Sequence, residues 1–146
     1  MSRDFSKTLA WVVLAGVVGA TFDITYAILY YGWRGIGAER IFHTIASGLL
    51  GKAAFDGGLP VAALGLALHY GIVIVAAAIF LAAARRIAWL HEEPIVAGAL
   101  FGLCIYGFMN FVVLPLSAYP FKQQFPLLTT ATGLLVHMFL IGVPIA

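Results

Sequence analysis

The chain is expected to be all-α: a polytopic membrane protein with four transmembrane helices in a bundle and a short amphipathic helix between the first two. Three observations carry this expectation. Hydrophobic residues make up 63% of the sequence and charged residues 10%, with a mean hydropathy of +1.04, whereas soluble domains carry roughly 25% charged residues. Four stretches, Thr8 to Trp33, Gly57 to Ala84, Pro94 to Phe121 and Gln123 to Ala146, hold no Lys, Arg, Asp or Glu except Asp23. Each is longer than the roughly 18 apolar residues that read as a membrane span.

Helix 1 is expected over about 8–31. Arg3 and Lys7 precede its apolar run as in a signal peptide, but the run continues through Tyr31 without a small-x-small cleavage site, which reads as a retained helix. Ala15, Gly16, Gly19 and Ala20 form a small-residue patch suited to close helix contact. Trp11 at one end and Tyr30, Tyr31 and Trp33 at the other fit interfacial aromatic belts. After the break at Gly32–Gly37, the segment 38–54 places Ile41, Phe42, Ile45, Ala46, Leu49 and Leu50 on one helical stripe, with Glu39, Arg40, His43, Ser47 and Lys52 mostly off it. It is too short and too charged to span, so an interfacial or re-entrant helix is expected. Asp56-Gly57-Gly58 ends it, and Pro60 opens helix 2 at about 60–84, closed by Arg85-Arg86.

A polar link, Trp89 to Glu93, leads to helix 3 at about 94–116, where Gly98-x-x-x-Gly102 is a second close-packing signature. Pro115, Pro120 and Pro126 break the chain around a loop holding Lys122, Gln123 and Gln124, before helix 4 at about 127–146. All 146 residues form a single domain, with no repeat. Lys and Arg divide four against four between the faces: Arg3, Lys7, Arg85 and Arg86 oppose Arg34, Arg40, Lys52 and Lys122. The N-terminal amine and the Arg85-Arg86 doublet tip both termini toward the cytoplasm.

Counting at about 1.5 Å per residue from the face carrying segment 38–54 puts Asp23 roughly 12 Å deep, His69 roughly 14 Å, Asn110 roughly 10 Å and His137 roughly 15 Å. Each helix thus contributes one polar residue at similar depth. These four form the candidate ligand or ion site. One reading is binding or translocation of a proton, metal ion or small solute, with Asp23 carrying the proton or neutralising a cation. His69, His137 and Asp23 have the ligand chemistry for Zn or non-haem Fe, and His69 with His137 suits bis-histidine haem in an electron-transfer protein. Glu39 and His43, four residues apart on one face, are candidate rim residues. The plainer alternatives are polar groups that only bond each other, and an accessory subunit of a larger membrane complex. Met109 and Met138 are read as packing, His91 as a loop residue and Cys104 as a small packing residue that cannot form an internal disulfide.

The net charge of +2 argues against nucleic acid; the partners expected are the lipid bilayer and a homo-oligomer or larger complex. No His-Glu-x-x-His, Gly-x-Ser-x-Gly, Walker loop or dinucleotide turn is present, so an enzyme is disfavoured. The strings at 45–51 (IASGLLG), 108–117 (FMNFVVLPLS) and 142–146 (GVPIA) resemble those of an uncharacterised group of small bacterial inner-membrane proteins. The resemblance implies an inner-membrane location and chains continuing past Ala146 with a short basic tail. It brings no activity and carries no functional residue.

Overall fold

In a computed structural model, residues 3–146 are described, and every regular element among them is helical. Helix α1 spans Arg3–Gly32 and α2 spans Ala38–Leu50, followed by a tight turn at Gly51–Asp56. Helix α3 spans Gly58–Ala84 and the short α4 spans Trp89–Glu92. Helices α5 (Pro94–Leu116) and α6 (Leu127–Ile145) complete the chain. Four of these, α1, α3, α5 and α6, are long and apolar enough to cross a bilayer, as in a small integral membrane protein. Their outer surface is greasy: Trp11, Leu29, Ile95, Phe111 and Leu127 are all more than 60% exposed. Apolar groups outside and small residues between helices is the pattern of packing in lipid, where the hydrophobic effect does not drive helices together.

Glycines set the contacts between the long helices. A Cβ on Gly16 of α1 would lie 2.6 Å from the Ile74 Cα of α3. Antiparallel α5 and α6 touch backbone to backbone: a Cβ on Gly98 would lie 2.7 Å from the Gly142 carbonyl, one on Gly102 would strike the His137 carbonyl, and one on Gly142 would strike the Gly98 carbonyl. The expected role of Gly98-x-x-x-Gly102 is therefore met by a third glycine on the facing helix. The buried core lies beside this contact and joins Ala20 of α1, Val73, Ala76, Ala77 and Phe80 of α3, Ala97 of α5 and Ile141 of α6. Phe80 meets Phe101 edge-on at 5.1 Å and closes α3 against α5 near α4. Toward α2 the same two helices part, leaving a cleft of about 550 Å³ lined by Leu64, Leu68, Ile72, Val75, Ile105 and Met109 among other apolar groups.

Two elements depart from expectation. The apolar stripe of α2 is divided: Leu49 and Leu50 are exposed, while Ile41 and Ala46 of the same stripe are buried together with the polar His43 and Ser47. In lipid, the side chains that need partners turn inward and leucines are left to face the acyl chains. The α2 backbone sits directly on α3, because a Cβ on Gly65 would strike the Phe42 carbonyl. Its C-terminal end is tied to the loop after α5 by the bond from Ala118 N–H to the Gly48 carbonyl (2.9 Å). Second, Pro115 does not break α5 but lies within its last turn. Upstream of it, residues Met109–Val113 widen into a π turn, with Leu114 N–H donating to the Met109 carbonyl five residues back. Helix α6 repeats the arrangement: His137–Gly142 form a π turn, Val143 N–H donates to the Met138 carbonyl, and Pro144 follows. Proline removes a donor and crowds the carbonyl four residues before it, and a widened turn accommodates both.

Because the obstructing atoms are backbone, Gly142→Ala should destabilise the protein by about 1–3 kcal/mol through overpacking. Gly107→Ala, with nothing within 4 Å of the new methyl group, should leave stability unchanged or raise it slightly through helix propensity. Thermal unfolding of the two variants in detergent checks the contrast: Gly142→Ala melts lower and Gly107→Ala does not.

Candidate functional site

The α5–α6 contact holds at Gly98, Gly102 and Gly142 and loosens toward the loop at 117–126. There the Tyr106 side chain comes between the helices, its ring edge 3.0 Å from where a Gly133 Cβ would stand. Above this point α5, α6 and the second half of α1 surround a cavity of about 530 Å³. Helix α1 supplies Asp23, Tyr26, Tyr30 and Tyr31; α5 supplies Tyr106 and Asn110; α6 supplies Thr129, Thr130 and His137; the loop supplies Tyr119, Lys122, Gln123 and Gln124. Three of the four expected site residues, Asp23, Asn110 and His137, thus share one cavity wall.

The fourth, His69, reaches Asp23 from α3 and is not part of that wall. Its Nε2 lies 2.9 Å from the Ala20 carbonyl and 3.9 Å from Asp23 Oδ2. A ring nitrogen facing a carbonyl oxygen must carry the hydrogen, so Nε2–H donates to Ala20 and also faces the carboxylate. Asp23 and His69 side chains are only 17% and 11% exposed, so the pair is held largely inside the protein. Two residues before Asp23 and next to His69, Thr21 Oγ1 and the Tyr70 hydroxyl bond at 3.0 Å. The α1–α3 seam is therefore polar at the depth of Asp23.

Asn110 and His137 are fixed in the same way. Each lies in a π turn, and each side chain donates to the carbonyl four residues back: Asn110 Nδ2 to Tyr106 at 2.9 Å, and His137 Nδ1 to Gly133 at 2.9 Å. His137 also meets the Tyr106 ring edge-on at 5.1 Å. These bonds leave the Asn110 amide oxygen and one of its amide hydrogens, and His137 Nε2, without a partner in their own helices. Two further buried polar atoms on the cavity wall, the Tyr26 hydroxyl and Gln123 Nε2, have no hydrogen-bond partner. At the mouth, burial raises the Tyr119 phenol above its ordinary pKa.

A metal needs its ligands together, and they are not. Among the described residues no three His, Cys, Asp or Glu side chains are grouped to hold a metal ion. His69 and Asp23 form a pair, while His137 is bound to its own helix. Of the two histidines read as haem ligands, only His137 lines this cavity.

The expected rim is also placed differently. Glu39 and His43 do not line the cavity. His43 is 6% exposed, donates from Nε2 to the Gly58 carbonyl at 2.8 Å and meets Phe55 edge-on. It pins α2 to the start of α3. Glu39 stands 3.8 Å from it with its side chain 54% exposed. Sequence reasoning missed the tyrosines. Tyr30 and Tyr31, expected at the lipid interface, line the cavity, and the Tyr30 hydroxyl bonds Thr129 Oγ1 of α6 at 3.0 Å. The signal available was four-residue spacing: Tyr26 and Tyr30 share a helix face with Asp23 and stack at 5.2 Å.

No family model, curated protein or solved structure matches the chain.

His43→Ala removes a buried side chain and its bond to the half-buried Gly58 carbonyl, and the lost bond should cost about 0.5–1.5 kcal/mol. Glu39→Gln, at an exposed and distant contact, should leave the melting temperature unchanged. Equal losses in the two variants would mean that the Glu39 contact, and not the bond to Gly58, anchors α2.

Proposed function

We propose that this chain is a small integral membrane protein of the bacterial inner membrane whose four long helices form a bundle around an intramembrane polar site. The site binds or translocates a proton, an ion or a small solute that enters through the face carrying the 117–126 loop. The observation that carries this reading is the cavity itself. Polar side chains are expensive at membrane depth, by about 2.5–3.5 kcal/mol for an Asp at a helix centre. Yet here Asp23, Asn110 and His137 converge on one space of about 530 Å³. That volume falls within the roughly 300–1,000 Å³ common for small-molecule sites. Unpartnered Tyr26 and Gln123 atoms on the same wall favour an occupant with polar groups, because a buried polar atom left unbonded costs about 1–3 kcal/mol.

In this mechanism Asp23 is the charged group of the site. As a carboxylate it accepts from a bound solute or neutralises a cation; protonated, it donates. His69 holds its Nε2 proton between the Ala20 carbonyl and Asp23, so it orients the carboxylate and, when doubly protonated, balances its charge. Asn110 and His137 present acceptors from the opposite side. Both termini lie on the cytoplasmic side, and the mouth opens on the other.

Water access tests the site directly. In a Cys104→Ala background, Thr130→Cys should react with a membrane-impermeant thiol reagent from one face of reconstituted vesicles, and Val75→Cys in the apolar cleft should not. A Thr130→Cys protein protected from both faces would mean a sealed packing defect. Asp23→Asn should elute and melt like the wild type while losing solute binding or transport. If Asp23→Asn instead disrupts only assembly with co-purifying proteins, the chain is an accessory subunit.

A further inference from the structure

The geometry points to an organic amine, bound as its ammonium, as the class of solute taken by the cavity; this rests on the binding-site reading above. We infer it from the chemistry of the wall. At the inner end the wall offers a carboxylate, the Asn110 amide oxygen and the His137 ring as acceptors. The Asp23 carboxylate is the one formal negative charge on the wall, one of the two Asn110 amide hydrogens is bound to the Tyr106 carbonyl, and the His137 Nδ1 hydrogen is bound to the Gly133 carbonyl. An ammonium group brings two or three N–H donors and a positive charge to such a cluster, whereas an anion would meet lone pairs and a carboxylate.

The sides are aromatic. Tyr26, Tyr30, Tyr31, Tyr106 and Tyr119 all line the cavity. Tyrosine faces attract cations by about 0.5–1 kcal/mol where exposed and about 2 or more where desolvated. The Tyr30 ring is already engaged, by the Arg34 guanidinium at 3.7 Å and by the stacked Tyr26 ring at 5.2 Å, which leaves Tyr31, Tyr106 and Tyr119 for a solute. The same rings accept the apolar body of the amine.

Donors cluster at the mouth. Lys122 is the one formal positive charge on the wall, and unpartnered Gln123 Nε2 stands beside it in sequence. Lys122 is exposed on its loop, so water screens it from the inner end. The donors there suit an acceptor on the far end of the solute. The wall is thus polarised, with its carboxylate inside and its ammonium outside, and it orients an amine with its nitrogen inward. A transition-metal ion would want several His, Cys, Asp or Glu side chains grouped at one point, and among the described residues no three are so grouped.

The test uses the full-length protein in a neutral maltoside detergent, with phenethylammonium chloride as probe and phenethyl alcohol, its uncharged analogue, as control. Calorimetric titration should show the ammonium binding at least tenfold more tightly than the alcohol, and Asp23→Asn should remove most of that difference. In the Thr130→Cys protein, the ammonium should slow thiol labelling and the alcohol should not. Equal binding of ammonium and alcohol by the wild type, a comparison that needs no variant, overturns the amine class. So does rapid one-sided labelling that the ammonium leaves unchanged, and in that case the water-accessible site itself stands. Absence of labelling from either face overturns both readings together.

Discussion

The backbone contact of α5 with α6 at Gly98, Gly102 and Gly142 is the constraint on which the rest depends. Two helices that touch at glycine cannot stay that close where larger residues face each other. Beyond Gly102 the facing pair is Tyr106 and Gly133, with the tyrosine ring between the helices. The helices therefore diverge toward the loop at 117–126, and the cavity occupies that wedge. Without the glycines the wedge has no apex, and the inner end, with Asp23, Asn110 and His137, loses its shape. The contact is built from dispersion and fit rather than from the hydrophobic effect, which supplies little attraction between helices in lipid.

The second constraint is satisfaction of polar groups away from water. The chain meets it mostly by bonding side chains to carbonyls of the helices. His69 donates to Ala20, His137 to Gly133, Asn110 to Tyr106 and His43 to Gly58. Each bond uses one donor and leaves the other end of the side chain available. For His43 the other end packs on Phe55, and its role stops at holding α2. For Asn110 and His137 the other end faces open space. The same bonding logic therefore yields an anchor in one place and a binding surface in another, and the deciding difference is what lies beyond the ring or amide.

The four long helices were legible in the sequence because a bilayer demands long uncharged runs, and Gly57 to Ala84 admits no other reading. Asp23, Asn110 and His137 were legible as a layer because helical rise converts residue counts into depth. Depth alone, however, says nothing of direction around the axis. That is why His69, at similar depth, proves to stand behind Asp23 and not beside it on the wall. The buried face of α2 was not legible for a related reason: it joins Ile41 and Ala46 of the apolar stripe to the polar His43 and Ser47, while Leu49 and Leu50 of that stripe stay exposed. The tyrosines were read by type, as interface residues, when their spacing from Asp23 was the better guide. The widened turns in α5 and α6 had no signal beyond a proline near each helix end.

Those widened turns alter how the helices must be aligned with any other chain. A regular α-helix advances about 100° per residue, so accommodating one additional residue in a turn shifts everything after it by about that angle. In α5 the outward arc near Ile95 and Leu103 therefore cannot be extrapolated through Met109–Val113 to Phe111 and Leu116 by a constant periodicity, although all four are exposed. A helical-wheel projection of the whole segment blurs two wheels into one. Split at the π turn, each half has its own phase.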